Sequence, residues 1–220
     1  MRSSSILKLA LVVLVIVQGR VAFADGLQDD VDQAVSILQR FQEMPEKAIP
    51  PAILKDAKGL AILTVAKAGF IVSARGGKGL VIARTKNGWS GPSAIGTGGA
   101  GFGFQIGAEV SEFVIVLNTP AAVKAFSKGG NVSLGGDLSV AAGPVGRNVG
   151  ADVTLQAAVY SYSRTQGLFA GVSLEGTVIA ERTSANTEYY GQKVKPADIF
   201  NGKVAAPRGA KKLLDVLARY

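Results

Sequence analysis

The chain has 220 residues, with 24 Lys and Arg against 16 Asp and Glu for a net charge of +8, and neither histidine nor cysteine. These two absences exclude His-based triads and His-ligated zinc or iron, and also thiolate nucleophiles, redox pairs and iron–sulfur clusters. The chemistry still open is carboxylate, lysine or serine–lysine catalysis, oxygen-only metal binding, or no catalysis at all.

The first residues read as an address. Arg2 and Lys8 flank the start of an apolar run, Leu9 to Val17, that is too short to span a bilayer. Ala22-Phe23-Ala24 supplies a small-x-small cleavage pattern, so the spacing predicts a signal peptide over 1–24 and a mature chain of 25–220. The leader takes three basic residues and no acid with it, leaving 196 residues at +5. That length suits a single domain with its own core and no disulfides. An exported product is the expectation, periplasmic or secreted, either soluble or peripheral to a membrane.

An amphipathic helix is predicted from about Leu27 to Met44, because Val31, Ala34, Val35, Leu38 and Phe41 fall on one face. Asp29, Asp30 and Asp32 suit the positive end of its dipole, and Pro45 stops it. Since Arg40 is the basic residue in its body, its polar face is acidic and unsuited to an anionic bilayer, so it is expected to pack on the rest of the fold. A second short helix begins near Pro50-Pro51 and ends at Gly59.

From Leu60 to about Arg182, β-branched runs alternate with glycines. Strands are predicted at 60–66, 70–75, 80–85, 101–105, 110–117, 137–142, 153–158, 160–164, 169–173 and 177–181. Three Gly-hydrophobic steps recur ten residues apart, at Gly59, Gly69 and Gly79, and read as short strands of a meander. Asn87-Gly88 is a hairpin-type turn signal. Thr119-Pro120 opens one intervening helix, which runs to Lys128. Thirteen glycines between Gly59 and Gly107 imply a strongly curved or closed sheet. The tail, 196–220, returns to helix with Leu213, Leu214 and Leu217 as its apolar stripe. The fold class is therefore α+β, mainly β: a curved, glycine-rich antiparallel sheet or barrel flanked by N- and C-terminal helices.

Between Lys55 and Lys86 seven basic residues, Lys55, Lys58, Lys67, Arg75, Lys78, Arg84 and Lys86, face one acid, Asp56. Such density attracts an anionic surface, and each lysine near an anionic bilayer contributes about 1 kcal/mol. Nucleic acid is not expected, because the stretch lacks interleaved aromatics and the chain carries an export signal. Gly96-Thr97-Gly98-Gly99-Ala100-Gly101 matches G-x-G-x-x-G, but residues 102–107 alternate like a strand, where a dinucleotide site needs a helix. Glu109, Glu112, Asp137, Asp152, Glu175 and Glu181 are scattered, and are expected at solvated outward positions; Glu109 and Glu112 cannot share a strand face. Tyr160 and Tyr162 point to one face as core, with Ser161 and Ser163 on the other. Asn131-Val132-Ser133 is a glycosylation sequon by pattern.

Several blocks together resemble the SYLF domain family, also called the yeast actin-binding or Las17-binding domain. They are Ile49-Pro50-Pro51 leading into Ala57-Lys58-Gly59-Leu60-Ala61-Ile62, then Lys67-Ala68-Gly69-Phe70, Trp89-Ser90-Gly91-Pro92-Ser93 and Gly103-Phe104-Gln105-Ile106-Gly107-Ala108. Ala141 to Arg147, Ser161 to Gly176, and Asn186 with Tyr189-Tyr190-Gly191 complete the set, over roughly 27–191. The resemblance implies a non-enzymatic module without cofactor or metal. Eukaryotic relatives bind phosphoinositides and, in fungi, actin; bacterial relatives are exported stand-alone domains described as lipid-binding, and this chain looks like the latter. The expected function is peripheral binding of an anionic phospholipid surface through the seven basic residues. The alternatives are an envelope structural or protein-interaction module, or actin binding if the protein is cytosolic in a eukaryotic host.

Overall fold

A computed structural model describes residues 26–44, 48–144, 157–167 and 177–220, with backbone alone for 70–72 and 100–106. The leader read over 1–24 and the strands expected at 153–158 and 169–173 lie outside these residues, apart from the 157–158 end. The elements are α1 (Leu27–Glu43), α2 (Pro51–Asp56), β1 (Gly59–Thr85), β2 (Gly88–Trp89), β3 (Ser93–Leu117), α3 (Pro120–Ser127), β4 (Val132–Ser133), β5 (Val140–Ala142), β6 (Val159–Gly167), β7 (Val178–Glu181), α4 (Thr183–Tyr190), α5 (Pro196–Phe200) and α6 (Lys211–Leu217). The class is α+β and mostly strand, with helices at both ends of the chain, as the sequence implies. Among the described residues no helix is long and apolar enough to cross a membrane.

The meander expectation needs correction. The segments 60–66, 70–75 and 80–85 are one strand of 27 residues, and 101–105 and 110–117 belong to one strand of 25. The two pair antiparallel from Gly59↔Leu117 to Val81↔Ser93, with a register shift between Phe70 and Val72. The curvature that the glycines promise comes from β1 doubling back on itself. The Arg84 N–H donates to the Lys58 carbonyl at 2.8 Å, and Gly77 and Gly79 lie on the backbone of Thr64, Ile62 and Leu63. A Cβ at Gly77 would stand 2.7 Å from the Thr64 oxygen, and one at Gly79 would stand 2.6 Å from the Leu63 Cα and collide with the Ile62 oxygen. Glycine bends the ribbon without ending the strand, because the partner strand follows the bend and keeps pairing with it.

β6 adds antiparallel to β3, and β7 pairs with both β3 and β4. β5 pairs parallel with β6, so the curled sheet is mixed rather than purely antiparallel. The Gly96–Gly101 motif is strand throughout, as its alternation predicts.

The sheet has core on both faces. Leu60, Ile62, Leu80, Ile82, Val114, Val116, Tyr160 and Tyr162 meet α1 and α6 on one side. Ala61, Leu63, Val81, Phe113, Ile115 and Leu117 meet α3 and α5 on the other. The period-2 alternation of a strand sends neighbouring residues to opposite layers. Thr119 caps α3 as expected, its side chain accepting from the Ala122 N–H at 3.1 Å.

Helix α1 packs on the sheet. It buries Leu27, Val31, Ala34, Val35, Ile37, Leu38 and Phe41, each 2% exposed or less. At about 1.5–3 kcal/mol for each large side chain, that face contributes roughly 10 kcal/mol. An ion-pair cluster sits at each end. Near the N-terminus Asp30, whose side chain is 1% exposed, meets Arg182 Nη1 at 2.6 Å and Lys78 Nζ at 3.8 Å. Near the C-terminus Arg40 meets both Glu112 oxygens, at 2.6 and 3.1 Å, and Arg164 approaches the same carboxylate at 3.3 Å. Buried pairs add little net energy because desolvation offsets attraction. Apolar burial holds the helix, and the ion pairs orient it.

Asn186 is fully buried. It ties α4 to the start of β3, with Oδ1 accepting from the Ala94 N–H at 2.7 Å and Nδ2 donating to Ser93 Oγ at 3.1 Å. Tyr190 donates to the Pro92 carbonyl at 2.9 Å, and Trp89 donates to the Leu217 carbonyl at 3.2 Å. The Trp89–Ser93 block and the Asn186–Gly191 block therefore lock against each other.

The backbone crossing makes glycine position matter for stability. Gly79→Ala should lower unfolding free energy by at least about 1–3 kcal/mol, since backbone atoms fill the space a Cβ would need. Gly130→Ala, where nothing lies within 4 Å, should stay within about 0.5 kcal/mol. Equal denaturation midpoints for the two variants would refute the backbone crossing.

Burial pushes Asp30 up from 3.8 to about 6, outweighing the pull of Arg182 and Lys78, with Asp29 adding to the rise. A raised folded pKa means the native state holds the proton longer than the unfolded chain does. This contribution to stability is therefore full below about pH 4 and is lost as pH rises through about 6, an effect on the order of 1–3 kcal/mol. Denaturation of wild type and Asp30→Asn at several pH values should show this slope in the wild type and its loss in the variant.

Candidate functional site

The seven basic residues do not share one surface. Four gather where the end of α2 meets both ends of β1. Arg84 is the hub: its Nη2 donates to the Leu54 and Lys55 carbonyls, both at 3.2 Å, satisfying the open end of α2. Its guanidinium lies 3.9 Å from the Trp89 ring centroid, a cation–π distance. Burial draws the Arg84 pKa below its ordinary value. Its backbone N–H also donates to the Lys58 carbonyl, and Lys86 comes two residues later, in the turn that follows β1. Lys55, Lys58 and Lys86 are exposed around this half-buried hub. Asp56 is the acid within the same stretch.

The other three lie elsewhere. Lys78 turns inward to Asp30 beneath α1, in a crevice of about 260 Å³ lined also by Gln33, Ile37 and Thr64. Lys67 and Arg75 sit on the far part of the folded ribbon. Lys67 is half-buried opposite Glu109 in the β1–β3 register. Arg75 lies across Gly99, its partner on β3.

Among the described residues the carboxylates offer no paired acid and base. Glu109 and Glu112 face opposite sides of β3, as their odd separation requires, but neither is a solvated outward group. Glu109 is 3% exposed and Glu112 is 9% exposed. Arg40 and Arg164 account for Glu112: a carboxylate with two guanidiniums across adjacent elements can leave water. Glu109 lies in the face that carries Phe113 and Ile115, and both its oxygens lack a hydrogen-bond partner. Among the described residues no group of three or more acidic side chains is placed to hold a metal ion. Tyr160 and Tyr162 are core, 5% and 3% exposed, as their alternation predicts. The arrangement can bind an anion by charge and shape, and it lacks a paired nucleophile and base among the described residues.

Two features of this site are out of reach of a linear reading. Nothing local marks Arg84 as the hub, because its partners Leu54 and Trp89 lie on separate elements. The charge run likewise hides that Lys78 is neutralised from a helix 48 positions upstream. The one available signal is Trp89, the lone tryptophan, sitting five residues after Arg84 across a hairpin turn.

A family model described as Ysc84, Las17-binding protein actin regulator, matches residues 98–220. The SH3 domain-containing YSC84-like protein 1 of Homo sapiens is 50% identical over 203 residues, covering 89% of this chain and 59% of the relative. SH3 domain-containing protein PJ696.02 of Schizosaccharomyces pombe is 51% identical, covering 87% and 47%. Protein YSC84 of Saccharomyces cerevisiae is 44% identical, covering 87% and 43%. The chain thus spans about half the length of the curated relatives it matches, and no solved structure matches it. With the matched region carrying the Asn186 lock and half of the folded ribbon, the chain belongs to the Ysc84, or SYLF, family of Las17-binding protein actin regulators.

Proposed function

We propose that residues 25–220 form one non-enzymatic interaction module that binds an acidic protein surface, with the actin filament as first candidate. The observation that carries this reading is the cluster of Lys55, Lys58 and Lys86 around the Arg84–Trp89 hub. The family description and the names of the relatives supply the class of partner, a Las17-type protein or actin itself. A rigid hub is useful here, because charges held in place lose less entropy on binding.

The anionic phospholipid surface is the second reading, favoured by the same ammonium groups. At about 1 kcal/mol each, three clustered lysines give about 3 kcal/mol, which is weak for a membrane and much less than seven would give. The helix that could add apolar insertion is already packed: α1 buries its apolar face on the sheet. These magnitudes put the protein partner first. If the leader is removed after Ala24, the mature chain works in an exported compartment, periplasmic or secreted, and its acidic partner is an envelope component.

Co-sedimentation with actin filaments across a salt series tests the proposal. The full chain should pellet with filaments at low salt, and Lys55→Glu/Lys58→Glu/Lys86→Glu should weaken binding at least about tenfold. Absence of wild-type pelleting, or equal pelleting of the variant, would overturn the actin reading. Flotation with anionic vesicles but not filaments would transfer the site to lipid.

A further inference from the structure

Two Asn-Gly pairs occur in the chain, Asn87-Gly88 and Asn201-Gly202, and all four residues are exposed. The fold treats the pairs differently. Asn87-Gly88 closes the hairpin between β1 and β2, where Thr85↔Gly88 is the last pair of the ladder. The Asn87 N–H donates to Thr85 Oγ1 at 3.3 Å, and that hydroxyl donates to the Gly88 carbonyl at 3.2 Å. Among the described residues the Asn87 side-chain amide has no hydrogen-bond partner. Gly88 has φ +114°, and nothing lies within 4 Å of the place a Cβ would occupy. The side-chain amide and the glycine that follows it are both open to water.

Asn201-Gly202 instead ends α5. The Asn201 N–H donates to the Ala197 carbonyl at 3.1 Å and the Gly202 N–H to the Ile199 carbonyl at 3.0 Å, so turning that peptide opens the helix end. Gly202 lies beside Thr85, yet its own charged neighbours cancel, since Lys203 Nζ meets the Asp198 carboxylate at 3.3 Å. At the hairpin the balance is basic. Lys86 directly precedes Asn87, and Lys55, Lys58 and the Arg84 guanidinium belong to the same cluster, with Asp56 the acid of that stretch. A positive potential stabilises an anion that forms within it.

We propose that Asn87 is a site of spontaneous deamidation, which lowers the charge of the basic hub. The Gly88 backbone nitrogen loses its proton and attacks Asn87 Cγ. The new C–N bond closes a cyclic imide, and the side-chain nitrogen leaves as ammonia, taking up that proton. Water then adds to one imide carbonyl and breaks its C–N bond, giving aspartate or isoaspartate and releasing a proton to solvent. The sum is hydrolysis of one amide by one water, and it uses no oxidant or reductant. Glycine suits the ring closure because it has no Cβ to crowd the attacking nitrogen. The transient negative charge falls among the ammonium groups, and the product carboxylate stays there. The consequence for binding rests on the hub reading given above, whereas the chemistry stands without it.

Ageing of the full chain at mildly alkaline pH, followed by peptide mapping in a mass spectrometer, tests the chemistry. Asn87 should gain the deamidation mass severalfold faster than Asn201, and isoaspartate should concentrate in the Asn87 peptide. High salt, which screens the lysines, and Lys86→Gln should each slow Asn87 and leave Asn201 unchanged. In denaturant the two rates should converge, because the fold no longer separates them. An Asn87 that stays intact in the folded chain, or converts no faster than Asn201, would overturn the proposal, as would a rate ratio that denaturant leaves unchanged. Co-sedimentation with actin filaments reads the consequence. Asn87→Asp and the aged wild type should pellet severalfold more weakly than fresh wild type, while Asn87→Gln should match fresh wild type and resist ageing. Unshifted thermal midpoints would establish that the variants fold. Equal pelleting of fresh wild type and Asn87→Asp would overturn the effect on the hub. Fresh wild type that never pellets refutes the hub reading instead, and the conversion rates still decide the chemistry.

Discussion

Where β1 crosses itself, the backbones of Gly77 and Gly79 rest on Thr64, Ile62 and Leu63, in a space with no room for a β-carbon. This contact turns a 27-residue strand into two neighbouring limbs, and its partner β3 is carried around with it. The remaining layers are placed by that crossing. Leu60, Ile62, Leu80 and Ile82 come together only because the two limbs of β1 lie side by side, and together they make the bed for α1. Their neighbours Ala61, Leu63 and Val81 make the bed for α3 and α5.

The same crossing explains the fates of the basic residues. It brings the two ends of β1 together, which places Arg84 against Lys58 and the end of α2. It turns Lys78 toward Asp30, and α1 lies over the pair. It leaves Lys67 and Arg75 on the distant part of the ribbon. A run of charge that looks uniform along the chain is thus divided into a surface cluster, an internal counter-ion and two outliers. The internal counter-ion is structural: Asp30 and Glu112 each sit among cations and fix the direction of a helix whose apolar face supplies most of the binding energy. That use of the acidic helix also makes it a poor membrane anchor, because its apolar stripe is occupied.

Much of the architecture is legible in the residues. The i, i+3, i+4, i+7 stripe of α1, the Thr119-Pro120 start of α3 and the alternating Tyr160 and Tyr162 each state their structure locally. The G-x-G-x-x-G match fails as a nucleotide signal for a local reason too, since strand alternation continues through it. The departures are of one kind. Glycine at ten-residue intervals suggests strand punctuation, and carboxylates on strands suggest solvated positions, and the structure overturns both. Each depends on what lies across from a residue in space: another limb of the same strand for Gly79, and two guanidiniums for Glu112.

The sequence by itself determined the class of the fold, the membership of the chain in its family, and the exclusion of histidine and cysteine chemistry. Those conclusions rest on residue type, period and motif order, all of which are properties of the chain as a line. The tertiary structure alone decided which charges act together. Ion pairs and cation–π contacts require approach within about 4–6 Å, and the partners here are mostly separated by tens of residues. Arg84 became a hub, Lys78 became a half-buried counter-ion to the buried Asp30, and Lys128 joined Lys193 and Lys195 across a cleft. Folding brings those atoms within reach of one another, and their spacing along the chain carries no record of it.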